Sequence, residues 1–140
     1  LHPATNFEFF GAIDDLWLNE DGEYLVVDYK ATAKKGEVNL DADWQISYKR
    51  QMEIYQWLLR KNGLPISNRG WFVYCNGKRD LDRFNNKVEF KVSLLPYDGN
   101  DDWVETALIE AKETLNRGDL PPPDENCDFC TYRQETAVFE

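Results

Sequence analysis

The sequence predicts an α/β fold, with a central mixed β-sheet flanked by helices. Two segments repeat apolar residues at helical spacing, and four others are rich in β-branched and aromatic residues. Along the chain these segments follow the order β-β-α-β-β-α, which predicts a sheet with helices packed on it. A length of 140 residues suits one domain spanning 1–140.

The first half of the chain is predicted to hold a β-hairpin followed by a helix. The turn sequence NEDG places Gly22 where a positive φ is needed. Asp41 or Asp43 is expected to cap the helix, and Asn62-Gly63 to end it. The predicted elements are a strand over 7–18, a turn over 19–22, a strand over 23–30, a polar loop over 31–42 and a helix from Trp44 to Leu59.

The second half is predicted to add two strands, a helix and a tail. The helix opens with acidic residues, as the helix dipole favours, and stops at Gly118. Three consecutive prolines from Pro121 cannot continue a helix. The predicted elements are strands over 69–77 and 87–95, a charged loop over 78–86 between them, a helix over 101–118 and an irregular tail over 119–140 that carries Cys127-x-x-Cys130.

The composition limits the classes of function. A net charge of −10 argues against binding to nucleic acid by bulk charge, although the stretch from Lys30 to Lys61 has seven basic and four acidic residues. No apolar run approaches the roughly 18 residues of a membrane span, and no signal peptide is visible. No membrane partner is therefore expected. Three cysteines do not form an even disulfide framework, so a reducing, cytoplasmic setting is expected.

The second strand ends in charged residues that indicate a chemical site. Asp28 and Lys30 share one face of that strand, and a turn near 19–22 places Asp14 opposite about Asp28. Two opposed carboxylates repel by roughly 0.2–1 kcal/mol, so a cation is expected between them. Lys30 is one candidate; the other is Mg²⁺ or Mn²⁺, held by Asp14, Asp28 and the backbone carbonyl of Tyr29. The ordinary alternative is a surface ion pair at the end of a strand.

The following helix carries Gln51 and Tyr55, four residues apart and therefore on one face. The complete pattern is Gly-x-x-Asp ending at Asp14, then Asp-Tyr-Lys, then a helix with Gln-x-x-x-Tyr. This pattern resembles the RecB-like branch of the PD-(D/E)xK nuclease superfamily, which includes recombination nucleases and CRISPR-adaptation exonucleases. The resemblance implies a restriction-endonuclease-like core and a Mg²⁺- or Mn²⁺-dependent DNA nuclease, in particular an exonuclease, acting in DNA repair, recombination or defence.

The resemblance also assigns roles to residues. Asp14 and Asp28 would bind the metal, Lys30 would assist catalysis, and Gln51 and Tyr55 would line the DNA site. Among the remaining residues we expect DNA contacts from Lys34, Lys35 and Trp44, because the first two are basic and the third is an aromatic at the start of the same helix. The expected partners are a single- or double-stranded DNA end and a larger repair or phage/CRISPR protein assembly.

Two features depart from the family pattern. Relatives carry a His or Glu on an upstream helix, but His2 lies only twelve residues before Asp14, so that helix is expected to be lacking and His2 to be exposed. Glu8 is a poor substitute for it. The missing upstream His or Glu and the acidic composition favour an alternative, a catalytically inactive nuclease-fold module that binds DNA or a protein partner.

The second departure concerns the cysteines. Many relatives hold a [4Fe–4S] cluster with one upstream cysteine and three near the C-terminus. Here Cys127 and Cys130 supply two ligands, no cysteine lies near Thr136, and Cys75 is expected in the core as a small apolar residue. These cysteines alone do not supply the four ligands of an iron–sulfur cluster or a structural zinc, so neither is expected.

Overall fold

The computed structural model describes residues 1–83, 86–119 and 121–139. Residues 84 and 85 of the loop predicted over 78–86, and residues 120 and 140 of the predicted tail, lie outside the described residues. In chain order the elements are β1 (Asp15–Leu18), β2 (Tyr24–Thr32), a 3₁₀ turn (Asp43–Gln45) leading into α1 (Ile46–Lys61), β3 (Arg69–Gly77), β4 (Phe90–Asp98), α2 (Asp102–Asn116), α3 (Asp128–Thr136) and a last 3₁₀ turn (Ala137–Phe139).

The four strands form one mixed sheet in the order β1-β2-β3-β4. β1 pairs antiparallel with β2, β2 parallel with β3, and β3 antiparallel with β4. Parallel neighbours need a crossover connection, and α1 supplies it between β2 and β3. The predicted mixed sheet flanked by helices is confirmed.

The core lies between one face of the sheet and α1. Val26 of β2 and Phe72 of β3 are fully buried, and Met52 of α1 packs against both. Each of these side chains contributes roughly 1.5–3 kcal/mol by leaving water. Because strand side chains alternate, Asp28 and Lys30 lie on the same face as Val26. The apolar core therefore continues directly into the charged end of β2.

A second apolar cluster joins α1 to α2. Trp57 of α1 packs with Val104 and Leu108 of α2, and Phe7 and Phe9 cover them. This packing corrects the strand predicted over 7–18, because the ladder begins only at Asp15. Phe7 and Phe9 contribute to a helix–helix core, and apolar content alone does not distinguish that role from a strand.

Other boundaries also differ from the predictions. β4 begins and ends three residues later than expected. Neither Asp41 nor Asp43 caps α1; Asp43 lies inside the 3₁₀ turn, and the Ala42 N–H donates to Gln45 Oε1 at 2.9 Å instead. The predicted end of α1 at Asn62-Gly63 is confirmed, with Gly63 at φ +82°.

The two ends of the chain also correct the predictions. His2, expected to be exposed, is 5% exposed because Nε2 contacts Glu105 Oε1 at 2.6 Å and Nδ1 contacts Thr5 Oγ1 at 2.8 Å. The tail, expected to be irregular, contains α3, which starts after Cys127 with Asp128 in its first turn, as the helix dipole favours. Within the described ranges, no helix combines the length and the apolar character needed to cross a membrane.

Candidate active site

The site is built around a buried carboxylate at the end of β2. Asp28 is 4% exposed, and its Oδ2 lies 2.6 Å from Lys30 Nζ. That oxygen nevertheless accepts no hydrogen bond of good geometry from the described residues, so its contact with Lys30 is an ion pair rather than an aligned hydrogen bond. Buried carboxylate oxygens normally accept hydrogen bonds, so Asp28 Oδ2, with the Lys30 ammonium beside it but no aligned donor, has lone-pair capacity left for a second cation.

The hairpin places Asp14 beside Asp28. Asp15 pairs with Val27, and the same register continued by one residue brings Asp14 opposite Asp28, which confirms the register predicted for the turn. Asp14 Oδ2 accepts a hydrogen bond from the Tyr29 N–H at 2.8 Å. The N–H and C=O of one strand residue point to the same neighbouring strand, so the Tyr29 carbonyl also points to the side of Asp14.

α1 extends the site through a chain of hydrogen bonds. Lys30 Nζ donates to Gln51 Oε1 at 3.1 Å, and Gln51 Nε2 donates to the Tyr55 hydroxyl at 2.9 Å. A Cβ at Gly11 would lie 2.6 Å from Cε1 of Tyr55, so the glycine of Gly-x-x-Asp leaves space for this ring. The three sequence motifs therefore meet in one contact network.

Two further aromatic residues border Lys30. The Tyr48 ring centroid lies 4.4 Å from Lys30 Nζ, within range of a cation–π interaction. Trp44 packs edge-to-face on Tyr48 with centroids 5.3 Å apart and is 62% exposed. Tyr48 was not predicted as a site residue, although its spacing of four from Trp44 and three from Gln51 places it on the same helix face.

The electrostatics of the site favour a bound cation. Burial raises the pKa of Asp28, the Lys30 ammonium opposes that rise, and the Asp14 carboxylate adds to it. A carboxylate in this position is more stable when positive charge lies beside it. Lys30 supplies one such charge, and the Asp14 carboxylate beside Asp28 adds negative charge that a second cation would offset.

The donor set suits a hard divalent ion. Among residues 1–83, 86–119 and 121–139, no three His, Cys, Asp or Glu side chains cluster closely enough to hold a metal. Mg²⁺, however, is usually held by one or two carboxylates and keeps several waters. Asp14, Asp28 and the Tyr29 carbonyl match that chemistry, and the buried Asp28 Oδ2, which accepts no aligned hydrogen bond from the described residues, supports the fit.

The other predicted residues lie away from this network. Lys34 and Lys35 follow β2 in a loop, where Lys35 Nζ lies 3.8 Å from Asp80. Glu8 is exposed in the segment before β1. Cys75 pairs in register with Ala31 and therefore lies on the opposite face of the sheet from Lys30. Cys127 precedes α3 and Cys130 lies within it, and both are free thiols.

Comparison with known proteins places this geometry in a family. A family model described as the PD-(D/E)XK nuclease superfamily matches residues 3–134, which is nearly the whole chain. Searches of curated proteins and of solved structures give no match. The mixed four-stranded sheet with flanking helices agrees with the restriction-endonuclease-like α/β fold of that superfamily. The chain therefore belongs to the PD-(D/E)XK nuclease superfamily.

Proposed function

We propose that this protein is a metal-dependent DNA nuclease of the RecB-like branch, acting as an exonuclease in DNA repair, recombination or defence. The observation that carries the proposal is the pair of carboxylates at the end of β2: Asp28 is buried with Lys30 Nζ at 2.6 Å, and Asp14 lies beside it and accepts from the Tyr29 N–H. A structural ion pair alone would not need the second carboxylate of Asp14.

Each residue of the network has a role in this proposal. Asp14, Asp28 and the Tyr29 carbonyl would hold Mg²⁺ or Mn²⁺, which when bound activates water and stabilises charge on phosphate oxygens. Lys30 Nζ would place positive charge against the phosphate as negative charge develops on it. Gln51 orients Lys30, and Tyr55 orients Gln51, through the hydrogen bonds at 3.1 and 2.9 Å.

The surroundings of the network support a DNA strand as substrate. Trp44 offers an exposed ring next to Tyr48, and such rings stack on unpaired bases. Lys34 and Lys35 continue from the same end of β2 and would meet the phosphate backbone. We propose a single- or double-stranded DNA end as the substrate and a larger repair or phage/CRISPR assembly as the setting.

The alternative is an inactive nuclease-fold module that binds DNA or a protein partner. The net charge of −10 favours this alternative, because acidic surfaces repel the phosphate backbone. So does the ion pair between Lys30 and Asp28, which already neutralises the buried carboxylate. The two functions differ in one measurable property, the cleavage of DNA in the presence of a divalent metal.

The test combines cleavage with thermal melting. Labelled single- and double-stranded DNA is incubated with the parent protein and Mg²⁺, Mn²⁺ or EDTA, and melting is followed with EDTA and with Mn²⁺. Asp14→Asn should abolish cleavage and remove the stabilisation by Mn²⁺, because a ligand stabilises only the state that binds it. Asp21→Asn, which removes an exposed acid from the turn, is the matched control and should retain both properties. If Mn²⁺ raises the melting temperature of neither protein, or of the parent and Asp14→Asn equally, the metal site is wrong.

A further inference from the structure

A basic cavity lies beyond the ends of β2 and β3, and of its lining residues only Lys34 and Asp80 have been described above. Its volume is about 320 Å³, and its polar lining comes mainly from Lys34, Asn76, Lys78, Arg79, Asp80 and Lys91. Four of these six side chains are cationic at neutral pH, on a chain whose net charge is −10. A concentration of positive charge on an acidic protein indicates an anionic ligand.

The cavity continues the face of the sheet that carries the candidate active site. Lys30 pairs in register with Tyr74, and two residues further Thr32 pairs with Asn76. Asn76 in turn pairs with Lys91 of β4. Because side chains alternate along strands and paired residues share a face, Asn76 and Lys91 project on the same side as Asp28 and Lys30. A strand leaving the active site along this face would reach the cavity.

The separation suits a phosphate further along the same strand. Asn76 and Lys91 of the cavity lie two residues further along the strands than Lys30, which is roughly 7 Å. They lie one and two strands to the side of it, which is roughly 5–10 Å. The combined distance is therefore on the order of 10 Å. That is about three steps of axial rise in a B-form helix at 3.4 Å each, and fewer steps in an extended single strand, so a dinucleotide with one linking phosphate cannot occupy both positions.

The cavity wall is held by a buried amide. Asn76 is 8% exposed; its Oδ1 accepts from the Lys34 N–H at 3.0 Å, and its Nδ2 donates to the Lys34 carbonyl at 3.1 Å and the Gly36 carbonyl at 3.2 Å. Arg79 adds a bond from Nη1 to the Ala33 carbonyl at 3.3 Å. The loop that carries Lys34 is therefore fixed against β3, which reduces the entropy lost when a ligand binds.

Acidic residues neutralise only part of the charge. Lys78 Nζ lies 2.7 Å from Glu89, and Lys91 Nζ lies 3.1 Å from Glu37. The remaining acid, Asp80, lies 3.8 Å from Lys35 Nζ. These ion pairs are exposed, and exposed pairs contribute little, so a phosphate can compete with their carboxylates. Lys34, in the loop after β2, and Arg79, after the end of β3, add two further positive charges.

We propose that this cavity is a second phosphate-binding site for the DNA strand, holding a backbone phosphate about 10 Å from the candidate active site. The proposal rests on the proposed nuclease function and adds a length requirement to it. A strand long enough to occupy both sites binds more tightly than a short one. A free phosphate or nucleotide has the same chemistry as a backbone phosphate, and the test separates the two.

The experiment measures binding of fluorescent single-stranded oligonucleotides of 2 and 12 nucleotides at several salt concentrations. The test variant is Arg79→Gln/Lys91→Gln, and the control is Arg117→Gln/Arg133→Gln, which removes the same charge from exposed positions outside the cavity. Each phosphate contact contributes about 0.7 to the slope of log affinity against log salt for single strands. Losing one or two contacts should therefore weaken binding of the 12-mer by about 5- to 25-fold at 0.1 M salt.

The expected result is that the test variant loses affinity for the 12-mer, while its affinity for the 2-mer and both affinities of the control change less than twofold. If the test variant loses affinity equally for both lengths, or if the control variant loses as much affinity as the test variant, the proposed second phosphate site is wrong. If inorganic phosphate binds the parent and the test variant loses that binding without weakening the 12-mer, the cavity takes free phosphate and the proposal is wrong. The readout is binding, so an absence of cleavage would count against the nuclease function and leave the second site standing.

Discussion

Replacing Lys30 with methionine tests whether Asp28 is a buried charge held by its neighbour. The substitution keeps most of the side-chain stem and removes the ammonium group, which lies 2.6 Å from Asp28 Oδ2. Asp28 is then 4% exposed with no adjacent cation, and breaking a buried pair in this way commonly costs 3–5 kcal/mol.

Protonation of Asp28 sets an upper limit on the unfolding free energy that can be lost when Lys30 is replaced. From an ordinary pKa of 3.8, taking up a proton costs about 4 kcal/mol at pH 7 and about 1.6 kcal/mol at pH 5, at about 1.4 kcal/mol per pH unit. Burial already raises the pKa of Asp28 in the parent, so the additional loss is smaller than this limit. We expect Lys30→Met to lose about 1–4 kcal/mol of unfolding free energy at pH 7.

The direction of the pH dependence follows from linkage. A carboxyl group whose pKa is raised in the folded state destabilises the fold fully above that pKa and not at all below its unfolded pKa of 3.8. The difference between parent and Lys30→Met should therefore shrink by about 1–3 kcal/mol when the pH falls from 7 to 5. The loss of the Lys30–Gln51 hydrogen bond remains at both pH values.

Urea unfolding of both proteins at pH 5 and pH 7 measures this difference. The control is the double variant Lys30→Met/Asp28→Asn, which has neither charge. Its loss of unfolding free energy relative to the parent should increase far less between pH 5 and pH 7. If Lys30→Met loses the same free energy at both pH values, Asp28 is not a buried charge dependent on Lys30, and the electrostatic account of the site fails.

Three further substitutions test other contacts. Gly11→Ala places a Cβ 2.6 Å from the ring of Tyr55 and should cost about 1–3 kcal/mol in urea unfolding, a loss that the added Tyr55→Leu substitution should reduce. Glu53→Gln should cost about 1–3 kcal/mol in the same assay, because Glu53 accepts from the Tyr97 hydroxyl at 2.6 Å as well as from two N–H groups, and an amide replaces one acceptor by a donor. Trp44→Ala should weaken single-stranded DNA binding by about 5-fold or more, from roughly 1–3 kcal/mol per stacked base, while thermal melting stays unchanged since the ring is 62% exposed.

Local sequence patterns predicted the contacts of the site that join residues close together in the sequence. The hairpin register follows from the turn at 19–22, where Gly22 has φ +80°, and a known register determines which side chains oppose each other. The pairing of Gln51 with Tyr55 follows from helix geometry in the same way. The contact between Lys30 and Gln51 was not predicted, because 21 residues separate them and the family resemblance placed Gln51 only at the DNA site.

Contacts between distant segments were not predictable from these patterns. His2 and Glu105 are 103 residues apart, and nothing near either residue indicates that they meet. Phe7 and Phe9 have the composition of a strand but pack on the cluster around Trp57, because the hydrophobic effect is non-directional and composition does not specify the packing partner. The basic cavity likewise joins the loop after β2 to residues of β3 and β4, so its charge is dispersed along the sequence.

The change from apolar to charged residues along β2 has a physical explanation in α1. Met52, 1% exposed, packs on the sheet core, while its neighbours Tyr48, Gln51 and Tyr55 face Lys30 and its surroundings. One helix therefore both seals the core and positions the polar residues, and Asp28 is desolvated because it lies where the two meet. A carboxylate there is destabilising by itself and is stabilised by any cation that binds it. Substitutions in this network should therefore change stability together with activity, so a loss of cleavage is evidence of a catalytic role only when unfolding of the same variant is measured beside it.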